Sequence, residues 1–476
     1  MTRKKLYIDG KWIETKEYYK LRSPYNGQEI AEIPLADEKL VDEAIAAAER
    51  HKAVMRSLPA HERSAILTRV ANYLEAHMEE AARILAQENA KPLKAARAEI
   101  TRTIQTYRFS AEEAKRLYGE TIPMDAAKGA EQKLGFTVRE PLGVIAAITP
   151  FNFPFNLVAH KLGPAFAAGN TVVLKPASQT PLSALYIVEV FEKAGLPPGA
   201  LNIVTGRGGV IGDRMVQDPR VKMVTFTGSL EVGLRIRQLA GLKRVTLELG
   251  SNSPVIIDNI RNLDAAVEKC VTGAFAYAGQ VCISVQRIYV HEAVYDEFLQ
   301  KFIARAKALK IGDPLDEDTD ISALISSGEV DRIEAWIKEA TEQGARVAAG
   351  GERIGEGILA PTILTDVPSH VSLCTMEAFA PIVMVNRVKS VDEAIRAAND
   401  SQYGLQAGIF TDSIRTAIKA ARELESGGII VNDVPTFRVD HMPYGGVKNS
   451  GIGKEGVKYS VEEMTELKFV SFAALE

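Results

Sequence analysis

Cys282 stands in Gly279-Gln280-Val281-Cys282-Ile283, a turn beyond a helical stretch, and a thiolate there would be a strong nucleophile toward a carbonyl carbon. Glu248 lies in the run 245–249, where Thr246 and Glu248 face away from Val245, Leu247 and Leu249. A carboxylate among apolar neighbours tends toward a raised pKa, which suits a general base near neutral pH. The plainer reading is an exposed glutamate at a strand end. Asn152 sits between Phe151 and Phe153, with Pro150 and Pro154 outside them. Two prolines restrict such a turn, so the amide N–H can be aimed at a developing oxyanion; an asparagine closing a local turn is the alternative.

Two further elements bear on a cofactor. Residues 224–228 read as a strand and 229–233 open a helix, with Gly228 and Gly233 letting backbone approach a pyrophosphate at the helix N-terminus. The spacing is G-x-x-x-x-G rather than the usual dinucleotide G-x-G-x-x-G, so taken alone an ordinary strand-to-helix turn is the plainer reading. Lys175 ends another strand, and Pro176 and Pro181 fix the chain beyond it near the C-terminal edge of a sheet, where open α/β sheets bind ligands. A solvated lysine is the alternative. A thiol, a carboxylate, an amide donor and a dinucleotide turn together fit oxidation of an aldehyde through a thioester.

The elements that must hold these groups read as α/β. The chain has 476 residues, too many for one ordinary core, so two or three domains are expected. Apolar content of 46% and charged content of 25% are those of a soluble globular protein, and a net charge of −4 gives no polyanion-binding signal. Neither nucleic acid nor membrane is expected as a partner. The three cysteines, Cys270, Cys282 and Cys374, cannot all pair and lack zinc-site spacing, so no metal is expected and the location read is cytoplasmic. Helical periodicity runs from Asp37 to about Lys91, broken at Pro59, and again over 95–118. Apolar runs at 144–149, 171–175, 201–205, 223–227 and 245–249, mostly separated by helices, argue for a parallel sheet covered on both faces. A second set at 255–258, 287–290, 382–388 and 408–411 reads as another α/β domain. Residues 263–278 read as a helix stopped by Gly279, with Cys270 in its core face. Residues 131–140 read as an extended, partly exposed strand that could be a sheet edge used in assembly, and 467–472 as a second short strand.

Seven motifs, in order, resemble the aldehyde dehydrogenase superfamily over nearly the whole chain. They are Pro150-Phe151-Asn152-Phe153-Pro154, Lys175-Pro176, Phe226-Thr227-Gly228-Ser229 with Gly233, Glu248-Leu249-Gly250, Gly279-Gln280-x-Cys282, Glu377-Ala378-Phe379-Ala380-Pro381, and the segment from Pro443 to Gly451. The resemblance implies a Rossmann-like cofactor domain over 1–122 and 143–249. It also implies an α/β catalytic domain over 250–430, and a small β oligomerisation extension and tail over 123–142 and 451–476. It implies that Cys282 attacks the aldehyde while the Asn152 amide and the Cys282 backbone N–H hold the oxyanion. Hydride then passes to a nicotinamide, and Glu248 activates water to release the acid. Glu377 would bind the nicotinamide ribose, Phe379 would pack nearby and Lys175 would reach the adenosine ribose. Thr149, Pro150, Phe151, Phe226, Thr227, Gly228, Ser229, Val232, Gly233, Leu249 and Gly250 would complete the cofactor site. By the same resemblance the partners are a small-molecule aldehyde and other copies of the chain, in a homodimer or homotetramer.

Two departures matter. Ala380 replaces the family's usual glycine and questions the local turn. Ser178 stands where many NAD-preferring relatives carry a glutamate that would repel a 2′-phosphate, so NADP is expected to be accepted, with NAD also usable and any preference toward NADP. Thr205-Gly206-Arg207-Gly208 and Ile211-Gly212-Asp213 resemble the non-phosphorylating glyceraldehyde-3-phosphate dehydrogenase branch. That branch, however, carries an arginine before its cysteine and a tyrosine after its asparagine, where this chain has Val281 and Phe153. The succinate semialdehyde branch tends to carry an arginine where this chain has Tyr277. A pocket of Phe153, Tyr277, Val281 and Ile283 suits a small uncharged aldehyde such as lactaldehyde or glycolaldehyde. Arg438 or His441 could instead hold the anionic tail of succinate semialdehyde, glyceraldehyde 3-phosphate or a sulfo- or phosphono-aldehyde; the plainer reading is an Arg438–Asp440 pair on a surface loop. A non-enzymatic scaffold of the same fold would need none of Cys282, Glu248 and Asn152. CoA-acylating relatives generally lack the Glu248 equivalent.

Overall fold

The computed structural model describes residues 2–473; Met1 and the last three residues of the expected tail, Ala474, Leu475 and Glu476, lie outside the described residues. Continuous Val, Ile and Ala runs build a central sheet of eight strands. Five of its six inner strands, Arg244–Glu248, Val221–Thr227, Val144–Ile148, Thr171–Lys175 and Leu201–Ile203, are mutually parallel. Side chains alternate between two cores: Ile145 and Ala147 join one, Val144, Ala146 and Ile148 the other. Both faces are therefore covered, as a parallel sheet requires.

The chain leaves Val144–Ile148 toward Thr171–Lys175 and Leu201–Ile203 on one side, then returns to add Val221–Thr227 and Arg244–Glu248 on the other. That reversal is a topological switch point, where the connections diverge and a crevice opens beyond the strand ends. Register places Ile148 beside Lys175 and Phe226, and Thr227 beside Glu248, so four predicted site segments share one sheet edge.

A second sheet of seven strands, including Ser253–Ile257, Val285–His291, Ile382–Val388 and Gln406–Phe410, is parallel except for its edge strand Arg346–Ala349. The loops entering Val285–His291 and Ile382–Val388 carry Cys282 and Glu377. A third sheet pairs Lys133–Pro141 antiparallel with Thr465–Ala473 along its whole length, and with Thr121–Ile122 on the other side. The segment read as a free sheet edge is thus the middle strand, and Thr465–Ala473 is an edge, with Leu467, Phe469 and Phe472 exposed.

Some readings need correction. The helix expected over 263–278 ends at Phe275, and the one over 95–118 is Leu93–Glu113. The strands Leu6–Ile8, Lys11–Ile13, Glu17–Arg22 and Glu29–Leu35 were not anticipated; the first two extend the central sheet through antiparallel pairing to Leu201–Ile203. No helix among the described residues is long and apolar enough to cross a membrane.

Candidate active site

The cysteine loop begins where helix Leu263–Phe275 breaks. Tyr277, Ala278 and Gly279 follow with φ of 48°, 52° and 71°. Left-handed non-glycine residues cost about 1–3 kcal/mol each, so the surrounding packing must hold this turn. A Cβ on Gly279 would lie 2.1 Å from the Ala380 carbonyl oxygen, so glycine lets the cysteine loop and the Glu377 loop meet. Ala380 itself is buried, and the positive φ falls on Phe379 instead. Cys282 is half-buried at the end of this turn, with Sγ 3.0 Å from the Tyr444 hydroxyl. Burial pushes the thiol up to about 11, against the Tyr444 hydrogen bond and the Arg438 charge.

Asn152 is buried, and its Nδ2 donates to the Gln280 carbonyl at 3.0 Å, two residues before Cys282. Its own carbonyl accepts from Lys91 Nζ at 2.6 Å. Lys91 pairs with Glu99, whose carboxylate also accepts from the Phe155 and Asn156 N–H groups and so caps the helix Asn156–Ala167. The turn is therefore fixed from both ends, beyond what its prolines supply.

Glu248 is 2% exposed, and both carboxylate oxygens lack a hydrogen-bond partner among the described residues. Gly445 leaves it room: a Cβ there would stand 2.8 Å from Glu248 Oε1. Burial first, then the Glu455 charge, push Glu248 well above the carboxylate range, while Arg438, Lys161 and Lys454 pull the other way. Glu455 behaves oppositely. Burial would raise it, but Lys161, His160 and Arg438 outweigh that and bring it down to about 2. One carboxyl of this pair keeps its proton and the other stays ionised. Lys161, on a helix buried along its whole length, reaches Glu455 Oε1 at 3.1 Å and Thr227 Oγ1 at 2.9 Å.

A crevice of about 650 Å³ opens at the switch point. Thr149, Pro150, Phe151, Asn152, Lys175, Phe226, Thr227, Gly228, Ser229, Val232, Leu249, Gly250, Cys282, Glu377 and Phe379 line it. Ser229 caps the helix Leu230–Leu239, leaving N–H groups at its start. Thr149 Oγ1 is buried without a partner among the described residues, and burial brings Lys175 down to about 8. Phe151 and Phe379 meet edge to face at 5.7 Å. The Glu377 carboxylate accepts from the Ser251 N–H at 3.0 Å; burial lifts it to about 7, opposed by that bond and by Arg332. Three of the expected residues are not in this lining. Gly233 packs under Leu249, Ser178 Oγ donates to the Gly206 carbonyl at 3.2 Å, and Glu248 lies in the neighbouring cluster with Glu455. Arg235, Glu329 and Arg332 line the crevice without having been anticipated.

Outside this lining, Phe153 and Tyr277 meet edge to face at 6.5 Å, with Lys91 Nζ 3.8 and 4.4 Å from their ring centres. Val281 and Cys282 pack against Ile283, Leu405 and Tyr444. The expected Arg438–Asp440 surface pair does not form. The Arg438 side chain is buried, bonds Glu455 at 3.1 Å and lies 3.6 Å from the Tyr444 ring centre. Asp440 is buried too, held by Arg102 and His160, and these outweigh the burial that would raise it. Both charges found stronger partners in the interior than each other. His441 is exposed and packs on Phe109 at 4.7 Å, outside the cysteine cluster.

Residues 12–470 match the model of the aldehyde dehydrogenase family. The chain is 48% identical to the 3-sulfolactaldehyde dehydrogenase of Priestia aryabhattai, over 98% of this chain and 97% of that one. It is 42% identical to the lactaldehyde dehydrogenase of Methanococcus aeolicus, over 98% and 99%. Among solved structures it resembles aldehyde dehydrogenase 21 of Physcomitrella patens in complex with the reaction product succinate. That match has a TM-score of 0.97 and 40% identity, covering 99% of this chain and 98% of that one. It also resembles the NADP-dependent glyceraldehyde-3-phosphate dehydrogenase of Bacillus halodurans complexed with NADP (TM-score 0.97, 38% identity, 99% and 100% covered). The chain belongs to the aldehyde dehydrogenase family and is an oxidoreductase acting on aldehydes.

Proposed function

We propose that the protein oxidises a small 2-hydroxyaldehyde of the lactaldehyde kind to its acid, using NADP or NAD, with Cys282 as nucleophile, Asn152 as oxyanion donor and Glu248 as the base for deacylation. The observation that carries this reading is that Cys282 lines the same crevice as the Ser229 helix start, Lys175 and Glu377. Helix N–H groups, a Thr149 hydroxyl without a partner among the described residues and a buried lysine are a donor set that fits a dinucleotide. An oxidised nicotinamide bound there would supply the two-electron acceptor. The chain's own part is to add the Cys282 sulfur to the aldehyde carbon, giving a tetrahedral oxyanion beside the Asn152 amide. Loss of hydride from that carbon to the two-electron acceptor, as the oxyanion reforms the carbonyl, would leave a thioester on Cys282. Glu248, once deprotonated, takes a proton from water as the water attacks the acyl carbon, and the thiolate leaves.

NADP acceptance rests on the absence of a carboxylate at Ser178 and on Lys175 in the crevice wall, and the NADP-complexed relative supports it. The tail of the substrate admits a second reading. Arg438 has an Nε without a partner among the described residues and lies over the ring that touches Cys282, which favours a sulfonate, phosphate or carboxylate tail. The sulfolactaldehyde relative and the succinate-bound neighbour fit that reading, while the lactaldehyde relatives fit the neutral one. The division into 1–122 with 143–249, 250–430, and 123–142 with 451–476 is part of the proposal, as are a cytoplasmic location and a homodimer or homotetramer built on the exposed edge Thr465–Ala473.

A kinetic panel of lactaldehyde, glycolaldehyde, sulfolactaldehyde, succinate semialdehyde and glyceraldehyde 3-phosphate, each with NADP and NAD, tests the whole reading. Oxidation of lactaldehyde, abolished by Cys282→Ser, supports it. An anionic aldehyde winning by tenfold moves the assignment to the second reading, and full activity in Cys282→Ser overturns both.

A further inference from the structure

The Tyr444 hydroxyl is buried and has Cys282 Sγ as its one hydrogen-bond partner among the described residues, at 3.0 Å. The Arg438 guanidinium carbon lies 3.6 Å from the centre of the Tyr444 ring, well inside the range of a cation–π contact. Arg438 is itself held by Glu455 at 3.1 Å, and the Tyr444 and Glu455 backbones bridge each other in both directions. Sulfur, phenol, guanidinium and carboxylate therefore form a fixed column that meets the crevice at Cys282.

We propose that Tyr444 is a further catalytic residue, its hydroxyl donating to Cys282 Sγ and, with Arg438 stacked on its ring, stabilising the sulfur as thiolate. This rests on the reading of Cys282 as nucleophile. A neutral phenol is both donor and acceptor, but a thiolate can only accept, so ionisation of the sulfur turns the contact into a charge-assisted hydrogen bond. Burial keeps the phenol proton in place well past neutrality. A cation over the ring withdraws electron density from the oxygen and strengthens it as a donor. The groups acting on the sulfur are Tyr444 and Arg438, which favour its ionisation, and Glu377 and Glu248, which oppose it. Of these, Tyr444 alone touches it. A phenylalanine would fill the same space without the hydroxyl, so the interaction can be removed with little change in packing.

The test is the pH dependence of Cys282 alkylation by iodoacetamide in the full-length protein, read by mass spectrometry of the Cys282 peptide. It compares wild type, Tyr444→Phe and Arg438→Gln, with dehydrogenase activity measured alongside. Tyr444→Phe should move the alkylation midpoint up by about one pH unit and slow the reaction about tenfold at neutral pH. Arg438→Gln should move it in the same direction. A Tyr444→Phe profile that overlays wild type overturns the proposal even if activity falls. Full activity in Cys282→Ser would instead overturn the reading beneath it, whatever Tyr444→Phe does.

Discussion

Lys91 Nζ donates to the backbone carbonyl of Asn152 at 2.6 Å, while its carboxylate partner Glu99 caps the helix that begins four residues later. The proposed oxyanion amide is thereby tied to a buried ion pair on another segment. Lys91→Met leaves the Glu99 charge buried and unpaired, which should cost roughly 3–5 kcal/mol in stability. It should also cost about a hundredfold in kcat/KM, the scale of a displacement near 1 Å. The double variant K91M/E99Q removes the stranded charge and should recover much of the stability but not the rate. Urea denaturation and steady-state kinetics on the three proteins separate the two effects; recovery of both would make the pair structural only.

The raised pKa of Glu248 has a direction in pH. A carboxyl held protonated by burial and by Glu455 becomes a base only as pH rises through that value. Where deacylation limits turnover, kcat should climb as pH rises through that raised value. Glu455→Gln removes the negative neighbour and leaves Lys161 and Arg438 less compensated, so the climb should move to lower pH. A kcat profile that does not move in Glu455→Gln would contradict the coupling.

Ser178 offers a test of cofactor choice. Its carbonyl accepts from the Tyr19 hydroxyl at 2.7 Å and its Oγ donates to Gly206, which fixes the loop after Lys175. Ser178→Glu should place a carboxylate against a 2′-phosphate, at about 2–3 kcal/mol or roughly a hundredfold in kcat/KM with NADP, and spare NAD. Equal losses with both cofactors would place Ser178 away from the ribose.

Most parallel strands of the two large sheets were legible because strands buried on two faces carry continuous apolar runs, as in Val144–Ile148 and over residues 382–385. Lys11–Ile13 was not, since one exposed and two half-exposed residues carry too little pattern. Cys282, Glu248 and Asn152 could be picked out by residue type and motif. Their supports could not: Lys161 meets Glu455 across 294 positions and Arg102 meets Asp440 across 338, and no spacing rule links such pairs. One local signal was available, a lysine at 161 inside a mostly apolar helix, where a charge must find a partner. Arg438 and Asp440 mislead for the same reason. Two residues apart, they look like a pair, yet each is claimed by a different distant group.

The central claim is that an acyl group passes through Cys282 and leaves by way of Glu248. Glu248→Gln mixed with lactaldehyde and NADP should release one burst of reduced cofactor per active site and then turn over slowly. Mass spectrometry of the quenched protein should place the lactoyl mass on the Cys282 peptide. Unchanged turnover in Glu248→Gln, or an acyl group found on any other residue, would contradict the account.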